Sequence, residues 1–126
     1  MDMRLELVPL VSTDVDRSKA FYVDQVGFLV DHDVEPGNGM RVVQLTPPGS
    51  ACSIVIGIGI NEPGSAAVRG LHLVVDDLAA VRGQLLDRGV DVSMVSDMGG
   101  VLYAFFSDPD GNSWALQELP DYSAQS

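Results

Sequence analysis

Apolar and polar residues alternate from Leu5 to Val11, and the alternation ends at Thr13-Asp14, an acidic helix-start signal. From Asp16 to Gln25 the period changes, placing Val15, Ala20, Phe21 and Val26 on one side of a helix. Gly27 stands where a left-handed residue commonly closes a helix. Three strands are then expected, at about 28–35, 40–46 and 52–60, with Glu35-Pro36-Gly37-Asn38-Gly39 as the first intervening turn. The same order returns further on. Leu71 to Val75 reads as a strand, Asp76-Asp77 as a helix start, and Leu78 to Arg88 as a helix with Leu78, Val81, Leu85 and Leu86 inward. Gly89 closes it, and strands follow at about 91–96, 101–107 and 113–119, with Asp97-Met98-Gly99-Gly100 as a turn.

This recurrence is an internal repeat. Pro47 and Pro109 lie 62 positions apart, as do Gly49 and Gly111, and Gly27 and Gly89. Several landmarks in the same order imply two related modules, at about 4–60 and 70–119. A Pro-, Gly- and Ala-containing linker spans about 61–69 and a short tail about 120–126. One βαβββ module leaves a sheet face uncovered, so the expected fold is α+β: two such modules forming an incurved, cup-like mixed sheet with helices on its outer face.

Composition narrows the function. The chain has 126 residues, 46% hydrophobic and 20% charged, enough for one ordinary domain with a real core. Its net charge of −11, with seven Lys and Arg in all, argues against nucleic acid and anionic membranes as partners. The excess acid fits either plain solubility or a cleft whose field draws a cationic ligand. No apolar run is long enough to span a bilayer, and Met1-Asp2-Met3-Arg4 does not open like a secretion signal, so a cytoplasmic location is expected. Cys52 is alone and reads as a small buried residue.

The segments Val11-Ser12-Thr13-Asp14-Val15-Asp16-Arg17-Ser18, Phe21-Tyr22 and Gly27-Phe28 resemble the first module of vicinal oxygen chelate proteins. Val74-Val75-Asp76-Asp77-Leu78, Arg88-Gly89-Val90 and Phe106-Ser107-Asp108-Pro109-Asp110-Gly111-Asn112 resemble the second. That superfamily holds glyoxalases, bleomycin-binding resistance proteins and extradiol dioxygenases, and the similarity runs from about Leu5 to Leu119. In its metal-using members, a His or Glu from the first and last strand of each module converges on one divalent ion. Carried onto this chain by counting from the motifs, those positions fall on Leu7, Ser53, Gly70 and Ala115. None of these is a competent ligand, so neither a metal nor another cofactor is expected.

What remains is a set of side chains that would face the cup. His72 is the foremost, as a hydrogen-bonding group or an acid–base catalyst, against the plainer reading of a core histidine. Gln117 and Tyr103 join it as polar groups and Phe105 as an apolar wall, with Gln44 and Ser53 from the first module. Trp114 alternates away from these and packs beneath a helix. Asp31, Asp33 and Glu35 share one face of the second strand, as a solvated edge or an acidic lip, with His32 packed on the other among Phe28, Val30 and Val34. Met94 and Met98 flank a turn and could form an adaptable pocket edge. Ile54 to Ile60 is apolar on both faces, its glycines allowing close backbone approach in a module or subunit contact, and a homodimer is expected. The leading functional expectation is metal-independent binding of a small organic molecule, cationic if the acid excess shapes the cleft. The rival is a lyase, isomerase or dioxygenase using an atypical metal site or acid–base work by His72.

Overall fold

The computed structural model describes residues 1–120, so the expected tail beyond Pro120 lies outside the described residues. The order is β1 (Leu7–Pro9), α1 (Val15–Ala20) running into a π-helical turn (Phe21–Val26), β2 (Leu29–Gly37), β3 (Met40–Thr46) and β4 (Ser53–Ile58). The second module repeats it with β5 (Leu71–Val74), α2 (Leu78–Asp87), β6 (Ser96–Met98), β7 (Val101–Ser107) and β8 (Ser113–Glu118). The two sheets have equivalent orders, β1-β4-β3-β2 and β5-β8-β7-β6. In each, the first strand pairs parallel with the last and the other pairings are antiparallel. The fold is thus the α+β pair of βαβββ modules that the repeat implied. No described helix is long and apolar enough to cross a membrane.

Both helix starts form as their sequences dictate. Asp14 and Asp77 sit in extended conformation, and their carboxylates accept hydrogen bonds from the backbone N–H of Arg17 and Ala80, at 3.2 and 3.1 Å. Each cap satisfies an otherwise orphaned donor and contributes about 1 kcal/mol. Gly27 and Gly89 adopt the left-handed conformation that ends the helices, with φ of 94° and 84°.

The first helix departs from a regular period. At Phe21 it widens into π-helical turns, closed by the Gly27 N–H donating to the Tyr22 carbonyl at 2.8 Å. The widening shifts the buried face, so that Phe21 and Tyr22 are both buried while Ala20 is exposed. Tyr22 is fully enclosed, stacks on Phe28 at 5.3 Å, and donates its hydroxyl to Asp108 at 2.6 Å. On α2, Leu78 and Leu85 are buried, whereas Leu86, expected inward, is 41% exposed.

The chain forms two compact units, and their boundary does not follow the sequence repeat. Residues 108–112, which join β7 to β8 in sequence, belong with the first unit. There the Asp108 carboxylate accepts from Tyr22, from the Asn112 side chain, and from the backbone N–H groups of Asp110 and Asn112, at 2.6 to 2.9 Å. Asp110 accepts from the Thr13 N–H and hydroxyl and from Ser18. The side-chain amide of Asn112 donates to the Val11 carbonyl at 2.8 Å. Hydrogen bonds to charged groups contribute about 1.5–3 kcal/mol each, so this turn is a main anchor of the first unit.

Two expected strands change shape for identifiable reasons. In place of a strand at 91–96, Ser93 exchanges bonds with Phe105: its N–H donates to the Phe105 carbonyl and its hydroxyl accepts the Phe105 N–H. A side chain has replaced a backbone partner, and regular pairing starts only at Ser96. In β2 a bulge between Val30 and His32 separates Asp31 from Asp33. Asp33 lies opposite Val43 on the helix side, bonded to Lys19 and Arg41, while Asp31 reaches Thr46. The three acids therefore do not share one face, and His32 is exposed rather than packed. Hydrogen bonds from Arg41 and Lys19 hold the Asp33 carboxyl well below the ordinary carboxylate range, and Asp33 and Asp16 in turn raise the Arg41 guanidinium.

In β4, Gly57 meets the backbone of its own sheet: a Cβ there would lie 1.9 Å from the Arg41 carbonyl oxygen. Gly57→Ala must push β3 and β4 apart, and urea denaturation should show a loss of about 1–3 kcal/mol. An unchanged midpoint would contradict this close approach.

Candidate functional site

Each sheet has one face covered by its helix, α1 against β4 and α2 against β7 and β8, and one face that is not. In the second module the covered face carries Leu71, Trp114 and Phe106 in one row, and Leu73, Leu116 and Ala104 in the next. Trp114, Phe106, Leu116 and Ala104 are buried, Trp114 beneath the helix as its alternation requires. The opposite face then takes His72, Ala115 and Phe105 in one row, with Tyr103 and Gln117 paired in the next.

These side chains touch. The Tyr103 and Phe105 rings lie parallel within 4° at 6.1 Å, and the His72 ring stands edge-on to Tyr103 at 6.1 Å. The Gln117 amide donates to the Tyr103 hydroxyl oxygen at 3.0 Å, leaving the Tyr103 proton to point elsewhere. His72 Nδ1 lies 2.7 Å from the Gly70 carbonyl oxygen, which can only accept, so Nδ1 carries the proton and Nε2 is the free acceptor in the neutral ring. Gly70 is itself held, its N–H donating to the Ser113 hydroxyl at 3.1 Å.

Beside this face is a cavity of about 460 Å³. His72, Phe105, Trp114 and Ala115 line it, together with Asp91, Ser93 and Ser113. The last three were not singled out from the sequence. Asp91 and Ser93 fall in a segment that reads as an ordinary strand, in which Ser93 instead bonds to Phe105 through its backbone and its hydroxyl. Met94 is 81% exposed and Met98 57%, and neither lines it.

The first module gathers Gln44 and Ser53 into a different group. The Thr46 hydroxyl donates to Asp31, so it accepts from Ser53 at 2.6 Å, and Ser53 accepts from the Gln44 amide at 3.3 Å. The chain of donors runs one way and leaves the Gln44 carbonyl oxygen without a partner in it. Thr46 and Asp31 enter this chain through the bulge in β2, which the residue pattern does not signal.

Register also tests the metal positions. Ile54 and Ile56 pair with Leu45 and Val43 on the buried face, as Trp114 and Leu116 pair with Phe106 and Ala104. The counterpart of Ala115 is therefore Val55 rather than Ser53, because β4 begins four residues after Gly49 and β8 only two after Gly111. Neither a valine nor a serine supplies a strong donor, and His72 is the single imidazole on the second module's open face. Among the described residues no three His, Cys, Asp or Glu side chains come together as a metal site. The donor set does not fit a tightly held divalent ion.

The His72 tautomer is directly measurable. Long-range ¹H–¹⁵N NMR of the neutral ring should show protonated Nδ1 and unprotonated Nε2, and the reverse pattern would contradict the bond to Gly70.

Comparison with known proteins places these features in context. Residues 4–116 match the family model of the Glyoxalase/Bleomycin resistance protein/Dioxygenase superfamily. The crystal structure of TnmS3, an antibiotic binding protein from Streptomyces sp. CB03234, is 33% identical, covers 94% of this chain and 97% of its own, and superposes with a TM-score of 0.83. A glyoxalase/bleomycin resistance protein from the same organism is 36% identical over 90% of this chain and 98% of its own, with a TM-score of 0.75. YwkD of Bacillus subtilis (strain 168) is 27% identical over 82% of this chain and 87% of its own length.

Proposed function

Since the chain belongs to the Glyoxalase/Bleomycin resistance protein/Dioxygenase superfamily, we propose that it is a metal-independent member that binds a small organic molecule, serving to sequester, carry or confer resistance to it. One observation carries this reading: the strand positions that would hold a metal are occupied by Leu7, Val55 or Ser53, Gly70 and Ala115, while the neighbouring open face of the second module is aromatic. Parallel rings at Tyr103 and Phe105 favour a flat apolar ligand, and His72 Nε2 and the Tyr103 hydroxyl offer one acceptor and one donor to orient it. Likeness to an antibiotic binding protein supports a small-molecule ligand.

His72 also supports the rival reading of metal-free acid–base catalysis, because its anchored Nδ1 leaves Nε2 placed as a base. That role needs a second group to take or return the proton, and among the described residues no carboxylate is hydrogen-bonded to the imidazole to orient it further. Binding is therefore the primary function in this proposal. A homodimer belongs to it as well, supported by Leu29, Val30 and Val34, which are exposed along the edge strand β2.

Equilibrium dialysis against a panel of planar aromatic antibiotics, run with and without a chelator, tests the reading. Saturable binding of one molecule per chain is expected, with Phe105→Ala weakening it about tenfold. Binding that vanishes with the chelator, or no saturable binding at all, would contradict it.

A further inference from the structure

Extending the binding function just proposed, we propose that Asp91 is the specificity-determining residue of the second-module cavity, and that the cavity takes a planar aromatic cation bearing N–H donors. The cavity volume, about 460 Å³, suits one small organic molecule. Its lining includes the exposed Phe105 ring, which shares a face with His72, and ring faces attract cations as well as flat apolar surfaces.

The charged lining is one-sided, with serine hydroxyls from Ser93, Ser107 and Ser113 completing it. His72 presents Nε2 as an acceptor, because Nδ1 is committed to Gly70. Asp91 adds a carboxylate, and that carboxylate is in no ion pair among the described residues. No lysine or arginine lines the cavity. An anionic ligand would meet the Asp91 carboxylate, and the guanidinium beside the lining, Arg82, is engaged through its Nε with the Ser93 carbonyl at 2.7 Å. A neutral one would gain the aromatic contact while drawing water away from a carboxylate it could not compensate. A cation with N–H groups satisfies the carboxylate, the imidazole acceptor and the Phe105 ring together. The chain's net charge of −11 favours its approach at longer range.

The test uses three ring-based probes on the intact protein: proflavine, a planar cation with amino groups; acridone, its neutral three-ring analogue; and the anion anilinonaphthalenesulfonate. Affinities are read from fluorescence titrations of wild type, Asp91→Asn and Asp87→Asn. Asp87 ends α2 and does not line the cavity, so its variant removes the same charge from the protein without touching the site. Saturable proflavine binding is expected, weakened about fivefold by Asp91→Asn and unmoved by Asp87→Asn. Acridone should be indifferent to both substitutions. Proflavine binding that ignores Asp91→Asn, or sulfonate binding as tight as that of proflavine, would overturn the cation proposal while leaving small-molecule binding intact. Failure of all three probes to bind would overturn both.

Discussion

A side chain in a β-sheet has two directions available, and α2 takes one of them for the apolar rows of β5, β8 and β7. Once Trp114, Leu116, Phe106 and Ala104 are buried against the helix, period two leaves the residues between them on the other face. His72, Tyr103, Phe105, Ala115 and Gln117 therefore share a surface because the core requires it. A slip of one residue would bury His72 and Gln117 and expose Trp114, at a cost the fold could not carry. The candidate site is in this sense the reverse side of the hydrophobic core.

Polar groups then fix what the register has placed. Ser113 holds Gly70, Gly70 sets the tautomer of His72, and Gln117 sets the direction of the Tyr103 hydroxyl. The first module has its own ordered chain from Gln44 through Ser53 and Thr46 to Asp31. The turn at residues 108–112 does comparable work at a structural level, its aspartates satisfying donors from Thr13, Ser18 and Tyr22. Among the described residues every buried side-chain nitrogen and oxygen has a partner. His72 Nε2 and the Asp91 carboxylate, on exposed residues, keep hydrogen-bonding capacity for a ligand.

Much of this was legible in the sequence, since the repeat, the aspartate caps and the glycine helix ends are all local signals. The grouping of His72, Tyr103, Phe105 and Gln117 followed from alternation alone. Features that depend on one extra residue were not legible. The π-helical turn moved Tyr22 inward, and the bulge in β2 parted Asp31 from Asp33, because each changes the period within a run that looks regular. Ser93 broke its strand through a side-chain bond that no periodicity records. Counting from Gly49 chose Ser53 where pairing gives Val55, since the two turns differ in length. Asp91 was missed because its importance comes from what surrounds it.

In the proposed function an aromatic face of the second module binds the ligand without a metal centre. Calorimetric titration of metal-stripped protein with Ni²⁺, Zn²⁺, Co²⁺, Fe²⁺ and Mn²⁺ tests it most directly. The account predicts no specific heat of binding for any of the five. Tight binding of one ion per chain would contradict it and make metal-assisted chemistry the primary reading.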